Sequence, residues 1–228
     1  MNQKNGNIKT FIAEELEIFG GPLYMPEDNT NPKKEPDPVN HNDPLSQFNH
    51  EIQTCTKCSL GETRTNFVFG VGNPNADLMF VGEAPGEKED LAGIPFVGRA
   101  GKLLDDILKA IQLSREDVYI ANVLKCRPPE NRDPNKSEIE LCEPYLLKQI
   151  ELIKPKLLVA LGRISAMTLL RTKDSLTAMR GQVFDYHGTD LVATYHPAAL
   201  LRNPNWKRPA WEDFKKIRAM YLEKRGEV

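Results

Sequence analysis

The chain lacks several features that would place it in a large protein class. It has 4 cysteines in 228 residues, too few for a disulfide-stapled scaffold, so the thiols read as reactive, buried or metal-bound groups in a reducing compartment. No apolar run approaches the roughly 18 residues needed to span a bilayer. The opening MNQKNGNIKTFIAEELEIF has neither a basic n-region nor an unbroken apolar stretch, which argues against a secretory signal. A soluble, cytoplasmic protein without membrane contact is expected. Aromatics are sparse at 7%, but 40% hydrophobic and 27% charged residues are ordinary globular values, which excludes collagen-like, coiled-coil and wholly disordered chains. No strong excess of one charge is present either: the net charge is -2 and the pI about 6.1, unlike a dedicated DNA-coating protein.

The charge is nevertheless unevenly spread. Residues 1–50 carry 4 basic and 8 acidic groups, 51–170 carry 15 and 17, and 171–228 carry 11 and 7. A basic rear is compatible with nucleic acid meeting the C-terminal part and equally with a solvated charged surface. Met25 to Pro44 holds five prolines among Asn, Asp and Lys and reads as a linker that cannot bury enough apolar surface to fold. Before it, Phe11, Ile12, Leu16, Ile18 and Phe19 fit a short amphipathic helix over 8–19. Two regions follow: an extension with a proline-rich linker over 1–45, and a packed domain over 46–228.

Within that domain, short apolar runs alternate with helix-period segments. Strands are predicted at 78–81, 118–123, 157–161, 182–185 and 191–194. Helices are predicted at 102–113, 138–153, 164–170 and 211–222. The alternation predicts an α/β fold, a three-layer α/β/α arrangement around a mostly parallel central sheet. Ligands of such sheets bind beyond the carboxyl ends of the strands. The segments there are GEAPG (82–86), NVLKCRPP (122–129), LGR (161–163) and YHP (195–197).

Cys55 and Cys58 form a C-x-x-C pair, while Cys126 and Cys142 are separated by fifteen residues. Zinc knuckles usually supply two close pairs, and no strand-to-helix context supports a thioredoxin-like motif. An iron–sulfur cluster also takes four thiolates and tolerates irregular spacing. Spacing alone leaves zinc, a cluster and four buried free thiols open.

Taken together, C-x-x-C, GEAPGEKEDLAGIPFVGRAGKLLD (82–105), VYIANVLKCRPPENRDP (118–134), Cys142 and ATYHPAALLR (193–202) resemble the family-4 uracil-DNA glycosylases over about residues 50–222. The resemblance implies that Cys55, Cys58, Cys126 and Cys142 hold a 4Fe-4S cluster with a structural task. It implies that Phe96 stacks on a uracil rotated out of the DNA, that Asn122 reads the pyrimidine edge, and that His196 contacts uracil O2 as negative charge develops there. Gly82, Ala84 and Gly86 shape the loop. Ala84 stands where other uracil glycosylases place a water-positioning Asp, which leaves Glu83 as the nearest carboxylate. Gly86 stands where others place a Tyr that blocks the thymine methyl, with Glu89 as the candidate to fill that space; the run EKED (87–90) otherwise reads as a solvated loop.

DNA contact is expected from Arg99 and Lys102 in GRAGK, a Gly-rich helix start suited to phosphate, and from Arg127 and Arg132. Leu200, Leu201 and Arg202 are the candidates for the wedge that fills the vacated stack. The expected enzyme is a monomeric, monofunctional glycosylase acting on uracil-containing DNA, single- or double-stranded, without a lyase step because no activated lysine is evident. A catalytically silent DNA-binding module and a glycosylase for another deaminated base remain the rival readings.

Overall fold

The computed structural model describes residues 43–227; the helix expected over 8–19 lies outside them. The first helix, α1 (Pro44–Ile52), starts where the proline-rich stretch ends. The Asp43 carboxylate accepts from the Leu45 and Ser46 amides at 2.9 and 3.1 Å, and Pro44 occupies the first turn, where its missing N–H costs nothing. The expected boundary between residues 45 and 46 therefore falls inside a helix. A proline that opens a helix and one that forbids it look alike in composition.

After α1 come α2 (Leu60–Thr63), β1 (Val71–Gly72), β2 (Leu78–Gly82), α3 (Glu87–Ala92), α4 (Arg99–Ala110), β3 (Tyr119–Asn122), α5 (Lys136–Ile153), β4 (Leu157–Leu161), α6 (Arg163–Leu170), α7 (Leu176–Met179), β5 (Phe184–Tyr186), β6 (Thr189–Thr194), α8 (Pro197–Arg202) and α9 (Lys207–Arg225). The strands form one sheet in the order β1-β3-β2-β4-β6-β5. The four inner strands are parallel, and β1 and β5 join the edges antiparallel.

The inner strands read as continuous apolar runs because both faces of the sheet are covered. Leu78, Phe80, Ile120 and Val159 pack with Leu104 and Ile107 of α4 and Phe214 and Ile217 of α9. Their neighbours Met79, Val81, Ala121 and Leu158 pack with Leu146 and Ile150 of α5 and Leu169 of α6 on the other side. This two-residue alternation builds the expected three layers. On α4 the apolar stripe Leu103, Leu104, Ile107 and Leu108 is buried, each side chain contributing roughly 1.5–3 kcal/mol; a charge at Ile107 would break it. Chain order reverses at β2, which has β3 on one side and β4 on the other. A crevice is expected at such a switch point. No helix among the described residues is long and apolar enough to cross a membrane.

Candidate active site

A cavity of about 600 Å³ opens beyond the carboxyl ends of β2, β3, β4 and β6, within the usual range for ligand pockets. All four expected segments reach it, through Glu83 to Gly86, Asn122 and Pro128, Leu161 to Arg163, and Tyr195 and His196, and Phe96 joins them.

Asn122 ends β3 and is 2% exposed, yet its Oδ1 is buried without a hydrogen-bond partner among the described residues. Such an orphan costs about 1–3 kcal/mol, a cost that a ligand donor can remove. Packing holds the amide in place. A Cβ on Gly82 would collide with Asn122 Oδ1 and lie 2.8 Å from Phe96 Cζ, so only glycine lets strand, amide and ring approach this closely.

Phe96 is buried and has a φ of 55°, the left-handed region that a bulky residue enters only when its surroundings impose it, at about 1–3 kcal/mol. Arg115 imposes it. Its guanidinium donates to Pro95 O at 3.2 Å and to Phe96 O, while its Nε pairs with Asp105 at 2.6 Å. Gly101 completes the seat, since a Cβ there would collide with Phe96 O. Gly101 of GRAGK thus makes room for the aromatic loop. Arg115 was not legible as a site residue, because it lies nineteen residues beyond Phe96 in no recognisable motif.

His196 caps α8, its Nδ1 accepting from the Ala198 amide at 3.1 Å. Its ring stacks on Phe96 with centroids 5.2 Å apart and planes 25° from parallel. Burial pushes its pKa down to about 4, and the nearby Arg202 charge acts in the same direction. The imidazole is therefore neutral at pH 7. Because Nδ1 accepts, the ring proton sits on Nε2, a donor needing no prior protonation. Gly162, at a φ of 93°, lets the β4–α6 turn pass under this ring; a Cβ there would lie 2.9 Å from His196 Cβ.

Glu83 follows β2. Burial pushes its carboxyl up to about 7, with Asp133 adding to the rise and Arg163 opposing it. The group is thus half ionised near neutrality. Glu89 accepts from the Val97 and Gly98 amides at 3.0 and 3.2 Å, and a Cβ on Gly86 would lie 2.8 Å from its Oε2. It fills the space beside Gly86. Residues 87–90 are correspondingly no solvated loop: they begin α3, and buried Asp90 accepts from the Thr65 and Asn66 amides.

The four cysteines meet at one corner. Cys126 and Cys142 are buried with Leu60 and Leu124, and Cys58 packs against them. Cys55 accepts from Tyr145 Oη at 3.2 Å, Cys126 from Arg64 at 3.2 Å and Cys142 from the Lys125 amide at 3.3 Å. Burial raises the Cys126 pKa and pushes that of Cys142 up to about 11. Among the described residues no three His, Cys, Asp or Glu side chains are disposed to hold a single metal ion. Four thiols in one corner, three of them already receiving hydrogen bonds, suit an iron–sulfur cluster in donor type and number.

The model of the uracil DNA glycosylase superfamily matches residues 69–215. The chain is 48% identical over 181 residues to a type-4 uracil-DNA glycosylase of Archaeoglobus fulgidus, covering 76% of this chain and 91% of the relative. It is 49% identical over 189 residues to one from Sulfurisphaera tokodaii, covering 79% and 86%, and 46% identical over 185 residues to one from Saccharolobus solfataricus, covering 77% and 86%. The chain belongs to the type-4 uracil-DNA glycosylases.

In this glycosylase Lys125 joins the cysteine corner to the pocket. It is fully buried, and its Nζ donates to Asn122 O at 2.8 Å and Gln149 Oε1 at 2.6 Å. Burial pushes its ammonium down to about 8, so the chain does contain a lysine of depressed pKa. It does not line the cavity and cannot reach a sugar there.

The expected DNA-facing residues separate. Arg99 and Lys102 are exposed at the start of α4. Arg132 is held bidentately by Glu138, and Arg127 donates to Asn131 at 2.9 Å. Leu200 corrects the expectation of a wedge: it is 0% exposed within the core, because successive residues of α8 point 100° apart and this one faces the sheet. Leu201 packs half-buried on the same core, and Arg202 is exposed and lines the cavity.

Proposed function

We propose that the chain hydrolyses the N-glycosidic bond of deoxyuridine in DNA, releasing uracil and leaving an abasic site. The observation that carries this reading is that Asn122, whose buried Oδ1 has no partner among the described residues, and His196, a neutral donor, line one cavity. Uracil offers an N3–H donor between two carbonyl acceptors. Asn122 accepts from N3–H and donates to O4. Cytosine presents an acceptor at N3 and an amino group beside it, so it leaves the buried amide unpaired, the kind of mismatch that sites built on hydrogen bonds reject most strongly.

The target base is reachable only when rotated out of the stack, and Phe96 supplies the aromatic surface against which it packs. His196 Nε2–H donates to O2 as the departing base becomes anionic. A fixed donor aimed at charge that exists only in the transition state contributes about 10²–10³ in rate. Glu83 in its ionised form orients the attacking water near the sugar. Glu89, beside Gly86, narrows the pocket against a thymine methyl. Among the described residues no lysine lines the cavity, so the reaction stops at the abasic site.

Cys55, Cys58, Cys126 and Cys142 would hold a 4Fe-4S cluster. When bound, it ties the loop before α2, the loop after β3 and helix α5 into one unit. The test is uracil release from a single-stranded oligonucleotide. Free uracil with an intact abasic strand is the expected outcome. Tight binding without release would favour a silent DNA-binding module, and faster release of another deaminated base would move the substrate.

A further inference from the structure

With Leu200 buried, the large exposed apolar side chain on the cavity rim among the described residues is Trp206. It lies in the short turn Pro204–Trp206, where its amide donates to Asn203 O and the Asn203 side chain caps the turn. The indole stacks on Tyr195, centroids 5.1 Å apart and planes 13° from parallel, and 39% of the residue is exposed. Tyr195 is itself fixed: the Arg180 guanidinium lies 4.3 Å from its ring centroid and donates to its hydroxyl, and Arg180 is anchored on Asp213 at 2.6 Å. Trp206 is thus a braced aromatic plate, unlike a surface side chain free to rotate away.

We propose that Trp206 is a stacking platform for an unpaired nucleobase next to the flipped uridine. Three observations point to this occupant. Trp206 and Arg202 line the same cavity as His196, so a strand whose uridine enters there passes over both. Arg202 and Arg208 are exposed on either side in sequence, offering cations to the flanking phosphates. The supported indole already makes one parallel stack, and a second ring extends it. In a duplex with no flipped nucleotide both faces of a base are covered by its stacked neighbours, whereas a single strand unstacks readily and offers a free face. Base–aromatic stacking of this kind is tolerant of sequence, each contact being worth roughly tenfold in affinity on alanine substitution. The inference rests on the uracil-excision reading for its biological use. The binding test does not.

Oligothymidylate without uracil is titrated into the holoprotein while tryptophan fluorescence is followed. The other tryptophan, Trp211, is 2% exposed, so a change on binding reports Trp206. Saturable quenching is expected. Trp206→Leu keeps an apolar contact on Tyr195 but removes the aromatic plate, and is expected to weaken single-stranded binding about tenfold, read by the anisotropy of a labelled oligothymidylate. Trp206→Phe is expected to restore most of the affinity. Duplex DNA should show a much smaller loss. Wild-type fluorescence that stays unchanged at saturation, undiminished affinity in Trp206→Leu, or equal losses on single strand and duplex would each overturn the proposal. Absence of uracil release with the quench intact would instead sink the excision reading alone.

Discussion

The pocket and the cysteine corner lie at opposite ends of the Lys125 side chain and handle their polar atoms in opposite ways. In the pocket Asn122 Oδ1 is buried without a partner, Phe96 is held at a φ of 55° and Glu83 is half ionised. In the corner three of the four thiols already receive hydrogen bonds. The pocket carries cost that a substrate relieves. In the corner Arg64 and the Lys125 amide donate to sulfur, while burial holds the Cys126 and Cys142 thiols above their ordinary pKa. One region leaves a buried polar atom open, and the other already satisfies most of its own.

The largest expected effect comes from breaking the corner. Cys142→Ala should abolish retained iron, seen as loss of broad absorption near 400 nm, and lower the thermal midpoint by more than 10 °C, because a structural metal contributes to folding directly. A colourless but equally stable variant would show the corner to be ordinary core. In the pocket, His196→Ala should reduce kcat by about 10²–10³ with little change in midpoint, and single-turnover excision kinetics measure it. Arg115→Gln should release Phe96 from its strained conformation, lowering kcat/KM on uracil DNA by about tenfold while the absorption spectrum stays intact.

The smallest effect is a pH signature at Glu83. Its pKa, raised from 4.5 to about 7, means that ionisation is disfavoured in the fold. The stability associated with the neutral group is complete below pH 4.5 and lost as pH rises through 7. Glu83→Gln, which cannot ionise, should match wild type at pH 4.5 and melt higher at pH 8. Excision by wild type should rise through pH 7, and the variant should lose that rise. His196, lowered from 6.5 to about 4, stays neutral in the fold between pH 5 and 8 and so adds nothing to the excision profile there, whereas its stability contribution is present above pH 6.5 and falls as pH drops towards 4.

The sequence pattern carried the inner strands and the helices that cover them, because burial on both faces leaves continuous apolar runs such as Leu157 to Leu161. It missed β1, whose two residues have no periodicity, and α3 and α8, whose few turns resemble loops in composition. Gathering of the four strand-end segments was legible from topology alone. The seat of Phe96 was not, since Arg115 and Gly101 act through contacts that only the fold creates. Leu200 shows the converse limit: closeness to His196 in sequence suggested an exposed position, but this side chain is buried in the core while Arg202, two residues on, is exposed at the cavity.

The most direct test of the account is Asn122→Ala, assayed for uracil release and for thermal stability together. A fall in kcat/KM of at least a thousandfold is expected with a midpoint equal to or above wild type, because the substitution removes an unpaired buried oxygen. Excision within tenfold of wild type, or a lost fold, would contradict the claim that this amide is kept unsatisfied for uracil.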